Sequence, residues 1–153
     1  MQYDPQMLLD EEKHVVLDRF DYEIAWRLGQ GIVDVGLAQK MPIAIQITHG
    51  LDCIFLAVLP GGTHDNVDWV RRKIASVHRF QHSSLYLALA AREAGYEFHQ
   101  RFRLPMTDFV AGGGAVPLIA KNAGFIGAVG ISGLLDTDDH RLAVDGIRAV
   151  MSL

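Results

Sequence analysis

The clearest hydrophobic pattern lies between Ala111 and Met151. Gly112-Gly113-Gly114 opens it, followed by the apolar run Ala115-Val116-Pro117-Leu118-Ile119-Ala120. Lys121-Asn122-Ala123-Gly124 reads as a turn, and Phe125 to Ser132 returns as a second strand. In that strand Phe125, Val129 and Ile131 share one face, while Ala128, Gly130 and Ser132 share the other. A face of such small residues predicts that a helix, a neighbouring subunit or a ligand lies close against it. Ser132-Gly133 ends the strand. Asp136, Thr137, Asp138 and Asp139 then predict acidic N-cap chemistry for a last helix with an apolar stripe of Ala143, Ile147, Val150 and Met151.

The same patterning organises the rest of the chain. Asp4-Pro5 predicts a short helix through Met7, Leu8 and Leu9 to about Lys13, with proline in its tolerated first turn. Val15-Val16-Leu17 is too short to assign. A longer helix is expected from Asp21 to about Gln39. Ile24, Leu28, Ile32 and Val35 line one of its faces, and Trp26, Val33 and Leu37 line nearly the opposite one. Burial of both faces implies either a sandwiched core helix or contact with another subunit. Met41-Pro42 ends this helix.

Ile43, Ile45 and Ile47 alternate with Ala44, Gln46 and Thr48, which predicts a strand. A turn at His49-Gly50-Leu51-Asp52 leads into Cys53–Leu59, which is apolar throughout and reads as a central strand with Cys53 buried in it. After Pro60-Gly61-Gly62, a helix is predicted from Asp65 to Phe80. A break is expected at Gln81-His82-Ser83-Ser84, because serines favour caps over helix interiors. Helix resumes from Leu85 to Ala94, Gly95 ends it, and Tyr96–Phe109 reads as irregular.

Two hairpins sharing one antiparallel sheet, with helices on both faces, is the economical arrangement of these elements. The expected fold class is α/β (α+β), a three-layer α/β/α sandwich, as one domain over 1–153. Half of the 153 residues are hydrophobic, enough for a substantial core. Residues 111–135 are long and apolar enough to suggest a bilayer span, but their glycines, Pro117 and Lys121 fit a hairpin far better. The formal net charge of −4 and the scattered basic residues give no support to a nucleic-acid partner. A lone cysteine and an early acidic cluster, Asp10-Glu11-Glu12, make the cytoplasm the expected compartment, with no membrane partner.

Candidate chemistry is sparse. His78 and His82 have the spacing of a helical metal pair, but a break at Gln81 separates them and no acidic third ligand lies nearby in sequence. They read as unrelated histidines, and no metal is expected. Arg72, Ser76, Arg79 and Ser83 recur on one helical face that suits a carboxylate or phosphate, with Lys73 on its flank. Gly112-Gly113-Gly114 could form a nest of backbone N–H groups for an anion, or simply allow close packing. It lacks the Lys-Ser/Thr of a P-loop. The ligand-binding residues expected from the sequence are therefore Arg72, Arg79, Ser83, Gly112, Gly113, Gly114 and His140. Asp136, Asp138 and Asp139 would repel an anion near His140, so the site is expected on the glycine and arginine side. No nucleophile elbow, metal triad or carboxylate pair names a catalytic residue.

These residues carry a family resemblance. Gly112-Gly113-Gly114 with Pro117, Gly124-Phe125-Ile126-Gly127-Ala128-Val129-Gly130-Ile131-Ser132-Gly133 and Asp139-His140 resemble the signature of the haem-degrading-domain superfamily of HbpS/GlcG-like proteins. Trp69, Arg72-Lys73, Val77, Arg79-Phe80 and His82-Ser83-Ser84 are similar to a block of its uncharacterised (UPF) branch, as are Ala25-Trp26-Arg27-Leu28-Gly29 and Pro42-Ile43-Ala44-Ile45. The resemblance covers nearly the whole chain. It implies a profilin-like sandwich, a homo-oligomer and, in some members, haem binding or degradation. Two functional readings follow. One is a non-catalytic oligomeric module for a small anionic ligand or a protein partner. The other is a haem- or tetrapyrrole-binding or -degrading protein, with haem as its cofactor.

Overall fold

The alternation of Ile43 to Thr48 seeds the sheet. In the computed structural model, which describes residues 2–153, it forms strand β1 (Ala44–His49), paired antiparallel with β2 (Asp52–Val58). The other edge of β1 pairs antiparallel with β4 (Gly124–Ser132), which in turn pairs with β3 (Ala115–Ala120). The order β2-β1-β4-β3 makes one four-stranded antiparallel sheet from the two predicted hairpins.

Register sorts the side chains. Ile45 faces Ile131 and Ile47 faces Val129, so the β-branched residues gather on one side of the sheet. There they meet Ile24, Leu28 and Ile32 of helix α2 (Tyr22–Ala38) and Ala143, Val144 and Ile147 of helix α6 (Asp136–Val150). Each fully buried Ile or Leu in this core contributes about 1.5–3 kcal/mol. Helices α2 and α6 thus cover this face, and helix α3 (His64–Phe80) covers the other, as the patterning predicts.

The opposite face carries Ala44, Ala115, Ala128 and Gly130. The neighbour that these small residues anticipated is α3, whose Val70, Ile74 and Val77 lie directly on the sheet. A methyl group at Gly130 would stand 2.9 Å from Ile74 and 3.0 Å from Val70. Helix α1 (Pro5–His14) packs on α4 (Ser84–Ala94), and a short α5 (Phe98–Phe102) closes a cluster of Leu87, Phe98 and Leu104.

Four local expectations change. The Cys53–Leu59 run is an edge strand rather than a central one, and Cys53 is exposed. An apolar run reads the same in either place, because both of its faces attract cover. Tyr96–Phe109 contains a helix, α5, with the Glu97 carboxylate capping it. Leu17, unassigned from the sequence, forms a parallel bridge to Ala120. The first residue before α6 is Leu135, which has no capping side chain, so the aspartates act from within the first turn.

The helix break falls where the serines placed it. Gln81 takes a left-handed conformation and ends α3, and the Ser83 hydroxyl accepts from the Tyr86 N–H to start α4. His78 bonds Thr48 and His82 bonds Glu12, so the two imidazoles serve different contacts. Among the described residues no helix is long and apolar enough to cross a membrane.

Candidate functional site

One face of α3 holds Asn66, Trp69 and Lys73 at helical spacing, and a Thr63–Asn66 capping box fixes its start. Opposite them stand the Val110–Gly112 approach to β3, the end of β4 at Ser132–Leu134, and the first turn of α6. Between these elements lies an open cleft of about 440 Å³.

Lys73 forms part of the cleft wall. It belongs to the buried side of α3, beside Val70, Ile74 and Val77, and is only 3% exposed. Its Nζ donates to the Ile131 carbonyl at 3.1 Å and to Asp139 Oδ2 at 3.5 Å. An ammonium carries three N–H donors, so two protein acceptors leave one direction unclaimed. Burial pushes the Lys73 pKa down, against the opposing pull of Asp139 and Asp136.

Asp139 is buried as well. Its other oxygen accepts from the Leu134 N–H at 3.1 Å. Burial raises its pKa to about 6, against the lowering effects of Lys73 and the Leu134 N–H. For both partners desolvation outweighs their mutual attraction, which moves each toward its neutral form.

The glycine triplet has a packing cause. A side chain at Gly113 would run into the Asp136 backbone, and one at Gly114 would lie 2.8 Å from Lys73 Nζ. Gly114 also has φ +139°, a conformation that favours glycine. The Gly113 N–H donates to Asp136 Oδ2 at 3.1 Å. The anion that the triplet's amides were expected to attract is thus supplied, at Gly113, by the chain's own carboxylate.

The structure divides the seven residues named from the sequence among several places. Gly112 lines the cleft, and Gly113 and Gly114 stand beside it, against Asp136 and Lys73. Arg72 stacks over the cleft-lining Trp69 at 4.3 Å and donates through Nε to Asp68 at 3.0 Å, but does not itself line the cleft. Arg79 is exposed and absent from the cleft walls. Ser83 is buried as the α4 cap, its N–H bound to Glu12. His140 is buried against Glu11 at 2.6 Å, with Tyr3 edge-on to its ring. Among the described residues its Nδ1 has no partner, and the ring borders a separate cavity of about 10 Å³. Ser76, from the same helical face, exchanges hydrogen bonds with Val110 and so anchors the loop leading to the glycines.

Sequence reasoning left Lys73 on the flank and missed Asp139, Trp69 and Asn66 as cleft residues. A signal existed for one of them. Val70, Lys73, Ile74 and Val77 recur as one buried stripe, and a lysine inside such a stripe asks for a buried counter-charge.

This three-layer fold, with a cleft at one end of its sheet, defines a class of small sandwich proteins. The family model described as haem degrading protein HbpS-like matches residues 20–148. The chain belongs to the HbpS-like family. It is 37% identical over 147 residues to a UPF0303 protein of Paraburkholderia phymatum, covering 96% of this chain and 89% of that protein. A UPF0303 protein of Acidobacterium capsulatum is 35% identical over 150 residues, covering 98% and 91%. Among solved structures, the Ybr137w protein superposes with a TM-score of 0.89 at 28% identity, covering 99% of this chain and 90% of that one. The PduOC:Heme complex superposes with a TM-score of 0.72 at 15% identity, covering 88% and 99%, which speaks to the fold alone.

Proposed function

We propose that this protein is a homo-oligomeric binding module that holds a small, uncharged polar ligand in the cleft beside Lys73. The observation that carries this reading is Lys73 itself. Burying an ammonium costs several kcal/mol even beside a carboxylate, and a purely structural position would accept Met or Leu at less cost. Lys73 retains a free N–H direction at a wall of an open 440 Å³ cleft.

The charge balance favours a neutral ligand over the anion expected from the sequence. Asp139 and Asp136 outnumber Lys73 in the cleft, Asp136 occupies the Gly113 amide, and Arg72 is held by Asp68. Asn66 and Ser132 offer hydrogen bonds, and Trp69 offers an apolar wall. Assembly is supported by apolar side chains that one copy leaves in water: Tyr22, Trp26 and Leu37 on α2, and Leu56 and Val58 on edge strand β2.

The family description and the fold shared with the PduOC:Heme complex speak for haem as a second reading. Within one copy the cleft residues do not fit it. Among the described residues, no His, Tyr, Met or Cys lines the cleft to serve as an axial ligand. A larger groove near Tyr3 and Arg92 also carries Asp4 and Glu93, whose carboxylates are set against haem propionates.

The test uses the two tryptophans. Trp26→Phe leaves Trp69 as the only indole, a reporter on the cleft rim. Small neutral hydroxyl and carbonyl compounds are expected to change its fluorescence saturably, with the response lost in Lys73→Met. A saturable response to phosphate or haem alone, or one that survives Lys73→Met, would overturn the reading.

A further inference from the structure

We infer that Lys73 is a carbonyl-capturing amine: it forms a reversible imine with a small neutral aldehyde or ketone held in the cleft between α3 and the first turn of α6. The inference rests on the cleft reading above and names its ligand class.

Position singles out Lys73. Lys13, Lys40 and Lys121 are exposed, whereas Lys73 combines burial with a place on a cleft wall. Surface ammonium groups stay protonated and unreactive at neutral pH. A lysine amine becomes a nucleophile when it is desolvated, as this one is. The neighbouring group suits the chemistry too. Asp139, with its oxygen 3.5 Å from Nζ, is positioned to take a proton from the amine and return it.

The step balances without any oxidant or reductant. The Lys73 ammonium passes a proton to Asp139. The nitrogen lone pair then attacks the carbonyl carbon, while the carbonyl oxygen collects the proton from Asp139 to give a carbinolamine. Asp139 next accepts the second nitrogen proton and delivers it to the departing hydroxyl, which leaves as water. One C=O and two N–H bonds have become one C=N bond and one water molecule.

The surroundings select the carbonyl compound. Asp136 stands exposed at the rim and disfavours carboxylated or phosphorylated carbonyls. The Asn66 amide, which reaches Ser132 Oγ at 3.5 Å, can serve a hydroxyl beside the carbonyl. The ligand class is therefore a short neutral hydroxyaldehyde or hydroxyketone.

Glycolaldehyde is the probe. The full-length protein is incubated with it and cyanoborohydride, digested, and each lysine-containing peptide is quantified by mass spectrometry. Lys73 is expected to carry several-fold more adduct than Lys13, Lys40 or Lys121, because it alone is both desolvated and set in a cleft wall that holds the carbonyl. Equal labelling of the lysines, or no adduct on Lys73, overturns the imine. Trp69 fluorescence in the Trp26→Phe protein separates the two ideas. If glycolaldehyde or ethylene glycol saturates that signal without a Lys73 adduct, the cleft binds and the imine alone falls. If neither signal nor adduct is seen, both fall.

Discussion

Lys73 Nζ and Asp139 Oδ2 lie 3.5 Å apart in a part of the fold where both side chains are almost fully buried. The distance is long for a charge-assisted hydrogen bond, which usually closes to about 2.7–2.9 Å. Gly114 on one side and the Ile131 carbonyl on the other hold the ammonium where it is. The pair therefore carries the desolvation cost of two charges without the full return of a tight contact.

That imbalance has a pH signature. Asp139 is raised to about 6 from an ordinary 3.8, so the folded chain binds more protons than the unfolded chain between those values. Its contribution to stability is fully present below about pH 4 and is lost as pH rises through 6. Lys73→Met removes the cation that holds Asp139 down and extends the penalty to higher pH. The substitution should cost about 3–5 kcal/mol at pH 8 and less at pH 5. Adding Asp139→Asn should recover most of the loss, since the amide oxygen still accepts from Leu134. Urea unfolding at both pH values checks this, and an equal loss at each would contradict it.

A second carboxylate contact ties down α1. Glu11 accepts from buried His140 at 2.6 Å, and the other ring nitrogen of His140 has no partner among the described residues. Glu11→Ala would leave the imidazole with no hydrogen bond at all, a cost of about 1–3 kcal/mol. The effect should be local. Hydrogen exchange should quicken across Pro5–His14 while amides in β1 and β4 keep their protection. Unchanged protection in α1 would show that its packing on α4 suffices.

Close approach of α3 to the sheet gives a third expectation. Gly130→Ala places a methyl against Ile74 and Val70, within 3.0 Å of both. Overpacking of this kind costs about 1–3 kcal/mol. Ile74→Val in the same chain should return part of it, because it removes Ile74 Cδ1, which lies 3.0 Å from the new methyl, and leaves Cγ1 room to shift. Thermal unfolding of the single and double variants measures the difference.

How much of this was legible follows from what each signal encodes. The hairpins could be read because alternation and glycine turns are local properties, and the α3–α4 break because Ser83 is a cap in any context. The small-residue face foretold a close neighbour but could not say that it was α3. The edge position of β2 was hidden, since apolar residues that face a possible partner look like those that face a core. The cleft was the hardest to see. Asn66 meets Ser132, and Lys73 meets Asp139, from 66 residues away, a juxtaposition only the sheet order creates. Reading the arginines as the charge-bearing face favoured residues that the structure gives to Asp68 and to solvent.

The last prediction concerns the face that one copy leaves uncovered. Trp26 is 61% exposed although its ring touches Phe55 edge-on, and Tyr22, Trp26 and Ile54 border a groove of about 310 Å³. Beside them β2 presents an unpaired strand edge with Leu56 and Val58 half in water. An open edge flanked by exposed aromatics is a liability unless another chain covers it, and a second copy offers the same complementary surface. Wild-type protein should therefore sediment as an oligomer at micromolar concentration. Trp26→Glu should weaken assembly by about 2 kcal/mol or more, as loss of a buried aromatic anchor does. Leu56→Lys should act in the same direction by placing a charge on the strand edge. Circular dichroism should stay unchanged in both variants, because neither side chain belongs to the buried core. Wild-type sedimentation as a monomer would sink the oligomer, and intact assembly in both variants would move its interface off the α2–β2 face.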